Sequence, residues 1–366
     1  MASLSHYFLC VTILCVMVLH PMSCYGECHD SDHIYKQLFV FGDSLFDPGN
    51  NQYLETGITS TYNYYPYGIT YFNHPTGRAT DGRVVPDFIA KFAKLNYPLP
   101  FLKPGAVFTH GAGFASAGAS ALGLNANVMN LAEQISNFKK LAATMQQILG
   151  PDVARKILMK SVYLISIGGN DYFIFNTRNK NSSLSNKVEY TGSVMGNIVL
   201  ALEELYAIGA RRFAFQDVGP LGCQPMSTQI NPETEGECEE KYLTHARLHN
   251  KFLRIALEEL KNDLPRFKYA VFDYYKALGD RIENPTKYGF KYGDVGCCGT
   301  GEYNGRNCGG GGPGGVEFNL CSDPNEYLFF DGGHTTERAN EQLAQLLWDG
   351  PPHVTGPYNV KKLFEP

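Results

Sequence analysis

The sequence predicts an α/β protein whose mostly parallel sheet is covered by helices on both faces. Two observations carry that prediction. Short β-rich runs alternate with helical patterns along the chain, the order that builds parallel sheets. The 366 residues are 44% hydrophobic and 18% charged, enough to bury a large core, and no internal repeat or low-complexity linker divides them. A leader over residues 1–26 followed by one domain over 27–366 is the simplest organisation.

The leader rests on an uncharged apolar run from Tyr7 to Leu19. It is too short to span a bilayer and fits the core of a signal peptide, with small Gly26 as the last residue before cleavage. No Lys or Arg precedes the run, but a buried first helix would need a polar face that it lacks. No later segment has the length and apolarity of a membrane helix, so the mature chain is expected to carry no integral membrane segment.

Strands are expected over Leu38–Phe41, in a weaker run ending near Phe114, and over Val162–Ile167, Arg212–Asp217 and Tyr269–Asp273. Helices are expected over Val84–Leu95, Leu131–Leu149, Tyr190–Ile208, Glu239–Asp263 and Thr336–Trp348. In the second of these, Leu131, Ile135, Phe138 and Leu141 share one face, which marks a core stripe. Gly209 reads as a helix C-cap before a buried strand.

Several function classes drop out at this stage. Net charge is −5 with no basic tract, which argues against a nucleic-acid partner. "CGGGGPGG" (Cys308 to Gly315) lacks the Lys-Ser or Lys-Thr of a phosphate loop, and "GAGFASAG" (Gly111 to Gly118) half-matches a dinucleotide fingerprint, with Ser116 at its third glycine. No cofactor is indicated. Of ten cysteines, Cys10, Cys15 and Cys24 lie in the leader. Cys28, Cys223, Cys238, Cys297, Cys298, Cys308 and Cys321 remain, the last four crowding a Gly-rich segment that disulfides would hold. With no repeated Cys-x-x-Cys and no histidine in that segment, a zinc site is disfavoured and no metal is expected. The odd total implies one free thiol or a different cleavage point. "NSS" at Asn181 is a glycosylation acceptor, while "NPT" at Asn284 is blocked by its proline.

In an open parallel sheet, ligands sit beyond the carboxyl ends of the strands. Four segments can reach that edge: "FGDS", "FASAGA", "ISIGGND" and "FFDGGHTTE". Each has a bland reading: Ser44 as an N-cap, Gly118 as a turn, Asn170 and Asp171 as an Asx-turn, Asp331 as a cap for the last helix. Together they supply what acyl transfer to a serine needs. A hydroxyl is a poor nucleophile until a base accepts its proton. His334 can be that base, and Asp331, three residues earlier, can hold the imidazole Nδ1. The backbone N–H groups of Ser44 and Gly118 and the amide of Asn170 can stabilise an oxyanion. If Ser44 also opens a helix, its N–H groups would favour the same negative charge.

The blocks "FVFGDSLFDPGNN", "FASAGAS", "IGGND" and "FFDGGHTTE", in that order across a full-length chain, resemble those of the plant GDSL esterase/lipases in the SGNH-hydrolase superfamily. "PTGRATDGRVVPDFIA", "DVGPLGC", "NPTKYGF…CCGTG" and "DGPPHVTGPYNVKKLFE" extend the likeness, which is nearest the secreted, defence-type branch. The resemblance implies a single-domain, three-layer α/β/α fold with a flavodoxin-like sheet. It also implies metal-free hydrolysis of a lipid or small-molecule carboxylic ester in the extracellular space (the apoplast). By the family's pattern Ser44 is the nucleophile, His334 the base with Asp331 behind it, and Gly118 and Asn170 the oxyanion donors beside Ser44. Phe46 occupies the last position of a Gly-x-Ser-x-Gly elbow, which argues against the α/β-hydrolase fold.

Two positions depart from the family pattern. Gly113 stands where Asn is usual, losing a hydrogen bond near the oxyanion loop. Thr335 follows the histidine in place of proline, which with Gly332 and Gly333 suggests a looser base loop. His245 and His249, at i and i+4, are half a zinc site; without a third ligand they read as a solvated helix face. His110 is read as packing before the oxyanion loop. Tyr-rich "TYNYYPYGITYF" (Tyr62 to Phe72) either lines an aromatic acyl pocket or covers the core edge. Two rivals to a hydrolase stay open: an acyltransferase using the same machinery, and a non-catalytic, defence-associated binding protein.

Overall fold

The computed structural model describes residues 36–54, 62–229, 236–310 and 317–365. The expected leader, its Gly26 end and Cys10, Cys15, Cys24 and Cys28 lie outside the described residues.

Strand β1 (Leu38–Gly42) is followed by α1 (Val85–Phe92), α2 (Leu131–Leu149) and α3 (Pro151–Lys160). Next come β2 (Val162–Ser166), α4 (Gly169–Arg178), α5 (Leu184–Ile208), β3 (Arg212–Gln216) and α6 (Glu240–Asp263). The chain then forms β4 (Lys268–Phe272), α7 (Tyr274–Glu283), α8 (Glu337–Asp349), β5 (Thr355–Pro357) and α9 (Val360–Phe364). β1 to β4 pair in parallel in sequence order, and β5 closes the far edge antiparallel to β4.

Side-chain alternation along the strands builds the layers. Phe39, Phe41, Tyr163, Ile165, Phe213 and Phe215 pack under α2, α5 and α6, while Leu38, Val40, Val162 and Leu164 pack under α1, α7, α8 and α9. The result is the three-layer α/β/α fold that the sequence predicts. Tyr35–Pro366 forms one unit.

The weak strand expected before Phe114 is an irregular ribbon beside β1. Leu38 N–H donates to His110 O, Val40 N–H to Ala112 O, Phe114 N–H to Val40 O and Ser116 N–H to Gly42 O. Counting this ribbon as the second strand gives the order 2-1-3-4-5 of a flavodoxin-like sheet, whose switch point lies between β1 and β2. Ser44 leaves β1 at that point.

Three expectations shift here. The helix run ending at Leu149 does not stop the layer, because Gly150 (φ 80°) turns the chain and Pro151 starts α3 at once. The third expected helix, α5, starts at Leu184 rather than Tyr190, capped by Ser183, whose Oγ accepts from Asn186 N–H. Glycine-rich "GGND" enters α4 instead of forming an isolated turn. The described cysteines pair as Cys223–Cys238, Cys297–Cys321 and Cys298–Cys308.

Candidate active site

Ser44 lies just past β1 and Asn170 in the first turn of α4 just past β2, while Asp331 and His334 lie between the short strand Tyr327–Phe329 of a separate two-stranded sheet and α8. β1 ends at Gly42 (φ 144°), where a Cβ would lie 2.1 Å from Ser166 O, so only glycine lets β1 and β2 approach this closely. Gln134 on α2, fully buried, clamps the same residue: Gly42 N–H donates to its Oε1 (2.9 Å) and its Nε2 donates to Gly42 O (2.8 Å). Ser44 then lies in an Asx turn, not at a helix start. Leu45 N–H donates to Asp43 Oδ1 (3.1 Å) and Phe46 N–H to Asp43 O (3.1 Å). Both the N-cap reading of Ser44 and the helix-terminus field are therefore corrected. Burial pushes the Asp43 carboxyl up to about 7.

From 290 residues away in sequence, His334 Nε2 meets Ser44 Oγ at 2.7 Å. Its Nδ1 faces Asp331 Oδ1 and Oδ2, each at 2.8 Å. Gly333 and His334 N–H groups both donate to Asp331 Oδ1 at 2.9 Å. Burial works against the charged ring, yet the Asp331 carboxylate, and Asp43 more weakly, raise His334 above its ordinary value. Burial likewise works against ionised Asp331, but His334 and the converging donors hold its carboxyl below the usual range. Asp331 caps no helix; Thr336 does, accepting from Ala339 N–H.

The loop around Gly118 is fixed by Asn170 and Asp171 together with Asp47, Asn50 and Asn51, to which sequence reasoning assigned no role. Asp47 takes the N–H groups of Gly49 and Asn50 on Oδ1 and that of Ala117 on Oδ2 (2.8 Å). Asn50 Nδ2 donates to Gly113 O and Ala115 O, and Asn51 Nδ2 to Ala117 O. Asp171 accepts from Ala121 and Leu122 N–H (2.9 and 3.0 Å), while Asn170 Nδ2 donates to Ala119 O (2.9 Å). Gly118, at φ 83°, sits in the middle of these clamps. The signal was present as "DPGNN" and the Asp of "GGND", but amide and carboxylate side chains that bond distant backbone leave no periodicity to read.

Both departures from the family pattern find a structural account. A Cβ on Gly113 would lie 2.5 Å from Pro48 Cγ, so an asparagine there would collide with the ring; Asp47, Asn50 and Asn51 hold the loop instead. The base loop is not loose. Thr335 is buried, its Oγ1 donates to Asn340 Oδ1 (2.6 Å), and its carbonyl accepts from Thr80 Oγ1 (2.9 Å). Met226 N–H adds a bond to Gly332 O (2.8 Å).

The α6 histidines are not a solvated face. His245 and His249 are buried, His249 Nδ1 pairs with Tyr172 Oη (2.7 Å), and His245 Nδ1 pairs with Asn176 Nδ2 (3.2 Å). Burial lowers their pKa values to about 4 for His245 and about 3 for His249. The surface reading fails because helical spacing places both rings on the face that meets α4. His110 Nδ1 accepts from Asn96 N–H (3.1 Å). In the tyrosine-rich strap, Tyr62 lies edge-on to His334 with ring centroids 5.3 Å apart, while Tyr65 is exposed. Asn181 lies on an exposed turn between α4 and α5. Among the described residues no cluster of three or more metal-ligating side chains occurs, and no helix is long and apolar enough to cross a membrane.

A serine, an imidazole and a carboxylate in line at the switch point of a flavodoxin-like sheet define the class, and comparison with known proteins agrees. Residues 38–347 match the family model of GDSL-like lipases/acylhydrolases, so the chain belongs to that family, and its relatives named as esterases and lipases mark it as a carboxylic ester hydrolase. It is 42% identical to GDSL esterase/lipase 1 of Arabidopsis thaliana, covering 93% of each chain. It is 43% identical to GDSL esterase/lipase 2 of the same plant, over 90% of this chain and 89% of that one. A GDSL lipase of Tanacetum cinerariifolium is 40% identical over 97% of this chain and 93% of its own.

Proposed function

We propose that this carboxylic ester hydrolase is secreted and works through an acyl-enzyme on Ser44. The observation that carries the reading is the continuous contact from Ser44 Oγ through His334 to Asp331. As Oγ attacks the ester carbonyl, its proton passes to His334 Nε2, and the new C–O bond leaves a negative carbonyl oxygen. The N–H groups of Ser44 and Gly118 and the Asn170 amide receive that charge; one Asn170 N–H remains beyond its bond to Ala119 O. Collapse expels the alcohol, which takes the proton back from His334. Water then repeats the cycle and frees the acid. The substrate is a lipid or specialised-metabolite ester.

The leader over 1–26, the three disulfides and the exposed acceptor Asn181 support export to the apoplast and glycosylation. Ser44→Ala is expected to abolish hydrolysis of a short p-nitrophenyl ester while circular dichroism stays unchanged. Full activity in that variant would overturn the mechanism.

A further inference from the structure

We propose that Tyr67 is a positioning residue for the Asp331–His334 pair, fixing the carboxylate so that His334 faces Ser44. The assignment rests on the triad reading above. Tyr67 is 2% exposed, and its O–H donates to Asp331 Oδ2 at 2.8 Å across 264 residues of sequence. The other oxygen, Oδ1, already receives two backbone N–H groups, from Gly333 and His334. Oδ2 therefore depends on Tyr67 and the imidazole for its partners.

The ring is set by packing rather than by the bond. It meets Phe330, the residue before Asp331, edge-on at 5.4 Å, and Tyr62 and Tyr64 stand against it at 5.0 and 5.3 Å. It also belongs to the small core cluster that holds Cys297, Cys298 and Cys308. A phenol so fixed supplies a donor that need not be ordered when the imidazolium forms, and preorganisation of this kind is what holds a base in line. Burial, then the Asp331 charge, keep the hydroxyl protonated well beyond the ordinary tyrosine range, so it stays a donor. The bond also explains a strap of aromatics far from the blocks that carry the chemistry: Tyr62 backs the imidazole and Tyr67 holds the carboxylate.

Tyr67→Phe keeps the ring and removes only the hydroxyl. Losing one hydrogen bond to a charged group, it should lower kcat by about tenfold. KM should hold, because the hydroxyl lies behind the triad on the carboxylate. A carboxylate with one donor fewer is more basic and strengthens the imidazolium, so the acid limb of kcat/KM should move to higher pH. A 3-fluorotyrosine at position 67, a more acidic donor that retains the fold, should move that limb to lower pH and decides the question if the phenylalanine variant fails to fold. Folded Tyr67→Phe with unchanged kcat and acid limb, or a fluorotyrosine protein whose limb stays put, would overturn the assignment. Activity persisting in Ser44→Ala would instead remove the triad reading and this assignment together.

Discussion

His334 is half-buried and the pair His245–His249 is buried, and their surroundings drive the rings in opposite directions. His334 faces Asp331 on one nitrogen and Ser44 on the other, and its pKa is raised despite burial. The α6 pair faces Tyr172 and Asn176, neutral partners that do nothing to offset burial, and both rings stay neutral far into acid. Burial alone therefore does not make an imidazole a base; an adjoining carboxylate does.

Removing the carboxylate breaks the comparison most sharply. Asp331→Asn should cut kcat by about 10³–10⁴-fold, because an amide holds the wrong tautomer, as steady-state ester hydrolysis would read. A rate near that of the parent would contradict the role of Asp331. The pH profile sharpens the contrast next. In the proposed mechanism His334 acts only when neutral, so kcat/KM should fall as pH drops through a pKa above the ordinary 6.5. A limb well below that value would put His334 in the same class as the α6 pair.

Smaller effects should come from α6. His249→Phe leaves Tyr172 Oη without its buried partner and should cost roughly 1–3 kcal/mol in urea unfolding, with a kcat close to that of the parent. Because both α6 rings titrate lower in the folded state than in the unfolded chain, they favour folding above about pH 6.5. That contribution is lost as pH falls towards their folded values of about 4 and 3. Replacing both by phenylalanine should flatten the stability curve below pH 6.5, where unfolding midpoints would show it. His245→Phe alone should have the least effect, about 1 kcal/mol, since it loses the Nδ1 contact with Asn176, whose Nδ2 keeps its bond to Tyr172 O, while Nε2 has no hydrogen-bond partner to lose and the ring's stacking on Tyr172 is kept.

Legibility followed the length scale of each signal. Strand runs such as Val162–Ile167 and the stripe through Leu131, Ile135 and Phe138 are local, and the structure carries them as β2 and α2. Helix α4 was hidden because its first residues, Gly169, Asn170 and Asp171, are turn formers whose side chains serve the neighbouring loop. Edge strand β5 is three residues long and ends on Pro357, leaving no alternation to detect. At the site, Ser44, Gly118, Asn170, Asp331 and His334 were visible through their four blocks. Asp47, Asn50, Gln134 and Tyr67, which hold those blocks in place, act across 63 to 264 residues and look like ordinary polar positions in sequence. The burial of His245 and His249 was equally invisible, since i, i+4 spacing gives a face but not its neighbour.

The most direct test is covalent labelling of the folded, full-length protein with a fluorophosphonate, followed by peptide mass spectrometry. A single adduct is expected on Ser44, formed faster as pH rises through the His334 titration and lost in His334→Ala. An adduct elsewhere, or none on active, folded protein, would contradict the acyl-enzyme on Ser44.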